Sequence, residues 1–198
     1  MKITKDIVIK EALDIAEREN VSKVTMATIA RNLSIKPPSL YNHFDGLDDI
    51  KNAMAVSALN QFFNWLSEKT ENQTDGRETI LALTEAYITF ALQHPGLYEA
   101  TLMAANPLQS DVQEAGEAIV TLTMKAFEPY HLSEVERIHI VRGLRSFLHG
   151  MVDLYHKGGF QLPISLEESY RMIVETYLSG VVNRRTLEGE TILKRRRP

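Results

Sequence analysis

Apolar residues recur at spacings of three and four along nearly the whole chain, and strand-like alternation between turns is missing. That period commits the chain to helices, so the fold expected is all-α, with a small N-terminal head on a larger helical-bundle body. Ile7, Val8, Ala12, Leu13, Ile15 and Ala16 describe a first amphipathic helix, capped by Thr4 and ending near Asn20, a residue that tolerates the left-handed C-terminal conformation. Thr25 caps a short second helix, Met26 to Leu33. Gly46 opens a long one, Leu47 to about Lys69, with Ile50, Met54, Ala58, Phe62 and Trp65 along one side. Asp75 caps the next, which runs to Gln93 and is stopped by "HPG" at 94–96. A short piece around Tyr98–Ala104 follows. Further helices are expected from about Asp111 to Phe127, from Ser133 to His156, and from the cap Ser165 to about Val182.

Between the second helix and the long one lies "LSIKPPSLYNHF", residues 33–44. Two prolines in succession stop a helix from inside but start one at little cost, because the first amide hydrogens of a helix have no partner to lose. From Pro37 to Phe44 the spacing predicts barely two turns. Leu40 and Phe44, four apart, dock on the first two helices; Ser39, Tyr41, Asn42 and His43 point away from that core. The three short helices form a helix-turn-helix. The stub's hydroxyl, amide and imidazole groups suit the donors and acceptors of a major groove, and Tyr and His also bond phosphate oxygens.

The net charge of −4 is unevenly spread. Residues 1–51 hold eight basic and eight acidic side chains; residues 52–183 hold eight basic against sixteen acidic; residues 184–198 hold six basic against two acidic. The head is thus spared the acid excess of the body without carrying the basic footprint usual for nucleic-acid binding.

"TIARNLSIKPPSLYNHF", preceded by a helix starting near Thr4, resembles the DNA-binding domain of the TetR family of bacterial transcriptional regulators, over roughly residues 4–55. Residues 143–170, "GLRSFLHGMVDLYHKGGFQLPISLEESY", resemble the C-terminal region called WHG in one branch of that family, and "HPGLYEATL" at 94–102 fits the same branch. The resemblance implies that Thr25 meets a phosphate, that Lys36, Pro37, Pro38 and Ser39 face bases or nearby backbone, that Tyr41 and His43 meet phosphates, and that Asn42 lies beside a base. There are departures. Ser34 stands where the turn usually holds glycine, and Lys36 where a capping serine is usual. Leu47, followed by Asp48 and Asp49, replaces a phosphate-binding lysine, a role that passes to Lys51. The domains expected are 1–46, a helix-turn-helix DNA-binding domain; 47–183, a helical ligand-binding and dimerisation domain; and 184–198, a flexible basic tail.

In the helix from Ser133 to His156, Arg142, Arg145, His149, Asp153 and His156 form one polar stripe. Ile140, Leu144, Phe147, Leu148, Met151, Leu154 and Tyr155 fill an apolar arc of about 200°, wider than a helix lying on one core needs. Gly143 and Gly150 would admit another helix closely, and the last helix, with Tyr170, Ile173, Tyr177 and Gly180, has the same character. A four-helix interface between two copies of the chain follows, including Leu154, and a two-fold homodimer matches two half-sites on a palindromic operator. In family members a small molecule binds within the body and alters the spacing of the two heads. Here Trp65, Phe90, Tyr98, Phe147 and Met151, with His94 as a polar contact, are the candidate lining of a mostly apolar pocket.

Other chemistry is not expected. The chain has no cysteine, which excludes disulfides and thiolate chemistry. Six histidines at spacings such as those of His139, His149 and His156 make no metal-ligand set. Ser39 and His43 lack a third group to orient a catalytic histidine, and "GG" at 158–159 precedes no phosphate-loop helix. No metal, no cofactor and no enzymatic activity are expected. The absence of a long apolar run or a secretory pattern points to a cytoplasmic protein with no membrane partner. The function expected is a repressor released from its duplex DNA operator by a small hydrophobic effector. Two alternatives are a DNA-binding regulator without a ligand and a helical protein-interaction module that never touches DNA.

Overall fold

The computed structural model describes residues 3–195, with side chains through residue 181. All regular structure among the described residues is helical: α1 (Lys5–Arg18), α2 (Met26–Asn32), α3 (Leu47–Thr70), α4 (Gly76–Gln93), α5 (Pro95–Ala100), α6 (Ser110–Ala126), α7 (Glu134–His156) and α8 (Leu166–Arg195), with three short 3-10 turns. None of these helices is long and apolar enough to cross a membrane.

The caps follow the side chains. Thr4 Oγ1 accepts from the N–H of Ile7, and Asp75 Oδ1 from that of Glu78. Thr25 with Thr28, and Ser133 with Glu136, close reciprocal capping boxes on α2 and α7. At two ends the structure departs from expectation. Asn20 is extended (φ 168°), not left-handed, because a 3-10 turn at Val21–Lys23 follows α1 directly. The last helix continues to Arg195 instead of ending near Val182. Residues 184–195 contain Arg, Leu, Glu and Lys, all strong helix formers, and no proline. The side chains of the expected basic tail, and its flexibility, lie outside the described residues.

The chain divides into two compact units, and the first joins residues 1–68 to residues 89–121. Its core gathers Val8, Ala12, Ile15 and Ala16 of α1, Ile29 and Ala30 of α2, Leu40 and Phe44 of the stub, Ile50, Met54 and Ala58 of α3, and Ala100 at the end of α5. The expected head, 1–46, is therefore one part of a larger packed unit. A second small cluster holds Leu59, Val112 and Ala115. Asn52, only 7% exposed, ties the segment before α6: its Nδ2 donates to Gln109 Oε1 (2.7 Å) and its Oδ1 accepts from the N–H of Asn106 (2.9 Å).

The second unit contains residues 69–88 and 122–198. On α7, Val141, Leu144, Leu148, Met151 and Val152 are buried, and on α8 Tyr170, Val174 and Leu178 repeat at the spacing of four that marks one helix face. The two helices are fastened by Tyr177, whose hydroxyl donates to the carbonyl of Ile140 at 2.9 Å. Gly143 makes room for it: a Cβ there would stand 2.8 Å from the same hydroxyl. Arg77 of α4 reaches Glu175 of α8 at 2.6 Å.

Candidate nucleic-acid interface

The stub is a 3-10 turn, Pro37–Asn42, where an α-helix of barely two turns was expected. In six residues with proline in the first two places, the i→i+3 pattern closes more bonds than the i→i+4 pattern can, and the N–H of Ser39 bonds the carbonyl of Lys36 at 2.9 Å. The N–H of Phe44 reaches the carbonyl of Leu40 (3.0 Å), so the two apolar anchors are still presented to one side. Leu40 is fully buried and Phe44 is 2% exposed. Lys5 Nζ lies over the Phe44 ring, 5.3 Å from its centre.

The polar residues face outward from that anchor. Lys36, Pro37, Pro38, Tyr41 and Asn42 are exposed, Tyr41 at 58%; Ser39 and His43 are half-buried. The turn that sets their direction is held in the left-handed region by Ser34 (φ 55°), at the position where the sequence lacks the usual glycine. Ile35 then returns to α2, its N–H donating to the carbonyl of Ala30 at 2.9 Å. Thr25 is half-buried, with its hydroxyl capping α2. Lys51 is half-buried and lies 3.7 Å from Asp48, so part of its charge is already matched. Lys23 and Arg31 add two exposed cations that the motif alone did not single out.

The residues expected around a ligand pocket are placed as follows. Trp65, Phe90, His94 and Tyr98 belong to one aromatic cluster with Phe62. Ring centres stand 4.8 Å apart for Phe62–Phe90, 6.4 Å for Phe62–Tyr98, 6.0 Å for Trp65–Phe90 and 6.1 Å for Trp65–His94. Phe147 is half-buried and Met151 buried, both on α7 in the second unit. The first unit also has an open groove of about 630 Å³ between α1 and α3, lined by Ile9, Leu13, Ala53 and Val56 and by the acids Asp6, Asp14, Glu17 and Asp111; none of the six expected residues lines it.

Of the residues expected between two copies, Leu154 (49%) and Ile173 (44%) are exposed, as is Gly180, and Gly150 has open space beside it. Tyr170 is already buried, and burial pushes its phenol up to about 12. At Gly143 the close neighbour is Tyr177 of the same chain, whose hydroxyl burial also pushes upward. A groove of about 600 Å³ on the second unit is lined by Leu132, Ile140, Tyr177, Gly180 and Val181.

Comparison with known proteins agrees with this architecture. A family model described as the tetracyclin repressor-like C-terminal domain matches residues 80–177. The chain is 34% identical over 181 residues to the HTH-type transcriptional regulator YobS of Bacillus subtilis (strain 168), a match covering 91% of this chain and 93% of that protein. Its fold is similar to that of BioQ bound to its double-stranded DNA operator (TM-score 0.67, 20% identity, 92% of this chain and 99% of that one). It is also similar to that of the transcriptional regulator FadR of Bacillus subtilis in complex with stearoyl-CoA (TM-score 0.70, 12% identity, 89% and 99%).

Proposed function

The chain belongs to the TetR family of helix-turn-helix transcriptional regulators, and on that premise we propose that it is a homodimeric repressor that leaves a palindromic operator when a small hydrophobic effector binds. Within the family we place it in the WHG branch, on residues 143–170. The observation that carries the DNA reading is the division of labour in one six-residue turn. Leu40 and, just beyond the turn, Phe44 are sunk in the core, while Tyr41, Asn42 and the paired prolines stand in solvent on the same rigid turn. A turn anchored in this way presents its polar edge on a backbone already ordered, so less conformational freedom is lost on binding. Asn42 reads a base edge, Tyr41 and His43 take phosphate oxygens, and Lys36, Ser39 and Thr25 fix the register. Lys51 supports them with whatever charge Asp48 leaves.

Dimerisation is proposed through the exposed flanks of α7 and α8, where Leu154, Met172 and Ile173 are in solvent. The effector site is proposed at the aromatic cluster around Trp65; the acyl-CoA held by the similarly folded FadR supports an apolar effector. The close ring packing inside that cluster, with Phe62 and Phe90 4.8 Å apart, favours a second reading in which the regulator answers to concentration and not to a ligand.

Selection from a pool of random duplexes by the full-length protein tests the DNA reading. A two-fold-symmetric sequence is expected to emerge, with binding that falls steeply as salt rises. Tyr41→Ala and Asn42→Ala are each expected to weaken binding to that sequence by about tenfold or more. Failure to enrich any symmetric sequence, or full affinity in both variants, defeats the reading.

A further inference from the structure

We propose that Glu17 and His94 form a joint through which operator binding at the head is transmitted to the aromatic cluster around Trp65. The inference rests on the operator-binding reading above and adds a route to it. Helix α5 begins without a local cap: His94 occupies the N-cap position but makes no side-chain cap bond, and Pro95 has no N–H to offer. The N–H of Tyr98 is satisfied by the carbonyl of His94 at 2.8 Å. That of Leu97 donates instead to Glu17 Oε2, at 2.9 Å, on a helix 80 positions earlier. The other oxygen of the same carboxylate, Oε1, lies 3.4 Å from His94 Nδ1. One side chain of α1 therefore holds both the first turn of α5 and the residue that opens it.

There is no slack in this attachment. Gly96 is buried, and a Cβ on it would stand 2.4 Å from the carbonyl carbon and oxygen of Ala16 and 2.5 Å from the N of Glu17. Those are backbone atoms, so α5 touches the main chain of α1 where Glu17 branches from it. Toward the head, Ala12 and Ala16 of α1 share a core with Leu40 and Phe44, the anchors of the proposed recognition turn. In the other direction, the His94 ring is 5.4 Å from Phe90 and 6.1 Å from Trp65, centre to centre. A displacement of α1 carries Glu17, Glu17 carries His94, and His94 turns edge-on against the indole. Because coupling free energies are reciprocal, a change at the cluster is returned to the head by the same path.

Trp65 is the sole tryptophan of the chain, so its emission reports this cluster without labelling. The selected duplex is titrated to saturation against the wild-type protein, Glu17→Ala and His94→Ala, with excitation on the red edge where DNA does not absorb. Circular dichroism melting is run alongside to establish that each variant is folded. His94→Ala leaves the Glu17–Leu97 bond in place and so breaks the transmission without uncapping α5. The expected result is a clear change of Trp65 emission in the wild type at DNA saturation, reduced about fivefold or more in both variants. A full DNA-induced change in folded His94→Ala or Glu17→Ala overturns the joint, and so does a wild type that binds DNA with no change at Trp65. If the wild type binds no duplex at all, the operator reading fails and the joint falls with it.

Discussion

Gly96→Ala probes the close approach of α5 to the backbone of α1. The new methyl would start 2.4 Å from the Ala16 carbonyl, whereas carbon contacts settle near 3.5 Å, so α5 must back away by about 1 Å. The Leu97 N–H to Glu17 bond, 2.9 Å in the native chain, then opens to about 3.9 Å and is lost. A bond to a charged acceptor is worth about 1.5–3 kcal/mol, and overpacking costs about 1–3 kcal/mol. Replacing glycine in a helix returns up to about 1 kcal/mol. The net loss is about 1.5–6 kcal/mol, or about 3–24 °C in Tm for a chain of this size. Thermal unfolding followed by far-UV circular dichroism gives the shift, and amide exchange at Leu97 shows whether its bond has opened. Gly116→Ala is the control: it also sits inside a helix, but with nothing within 4 Å of its Cβ, and it should leave Tm unchanged or slightly raised. A Gly96→Ala protein that melts within about 2 °C of wild type, with Leu97 still protected, refutes the reasoning.

Three further outcomes can be checked in the same way. Ser34→Gly relieves a left-handed residue (φ 55°) costing about 1–2 kcal/mol and adds about 0.5–1 kcal/mol of chain entropy; a small gain in stability by urea titration is expected, and a loss would show that the serine makes a compensating contact. Asn52→Ala strips the bonds to Gln109 and to the N–H of Asn106, costing about 1–3 kcal/mol and releasing the segment before α6; unchanged exchange at the Asn106 amide would contradict this. Tyr170 ionises near 10 when unfolded and at about 12 in the fold, so the unfolded chain gives up its proton first as pH rises. Its contribution is intact below pH 10 and is lost between there and about 12. Tyr170→Phe should remove that part of the alkaline decline, and an identical decline in both proteins would refute the assignment.

Local chemistry made much of this fold readable. Thr4, Thr25, Asp75 and Ser133 cap helices because a hydroxyl or carboxylate in an extended residue meets an orphan N–H whatever lies around it. The paired prolines start a turn for the same reason. The burial of Leu40 and Phe44 followed from their spacing, but the 3-10 form of the turn did not: the two share a side because one i→i+4 bond, from the N–H of Phe44 to the carbonyl of Leu40, closes just beyond it. Gly143 signalled a close approach without saying whose; the neighbour is Tyr177 of the same chain. Nothing local marks Glu17 as the cap of α5 or Asn52 as the tie of a distant loop, since such bonds exist only once the chain has closed on itself. The "HPG" signal correctly stopped α4, yet it was silent on the reason for its glycine, a contact with a carbonyl 80 positions away.

The inclusion of Ala100, Leu97 and Met103 in the same core as Val8, Ile29 and Leu40 bears on how such regulators can be recombined. A chimera that grafts residues 1–46 onto a foreign scaffold would carry a bare greasy bed on α1 where α5 normally rests. To keep its reading turn in shape, the transplant must bring α5 along, or the recipient must supply a helix whose second residue is as small as Gly96.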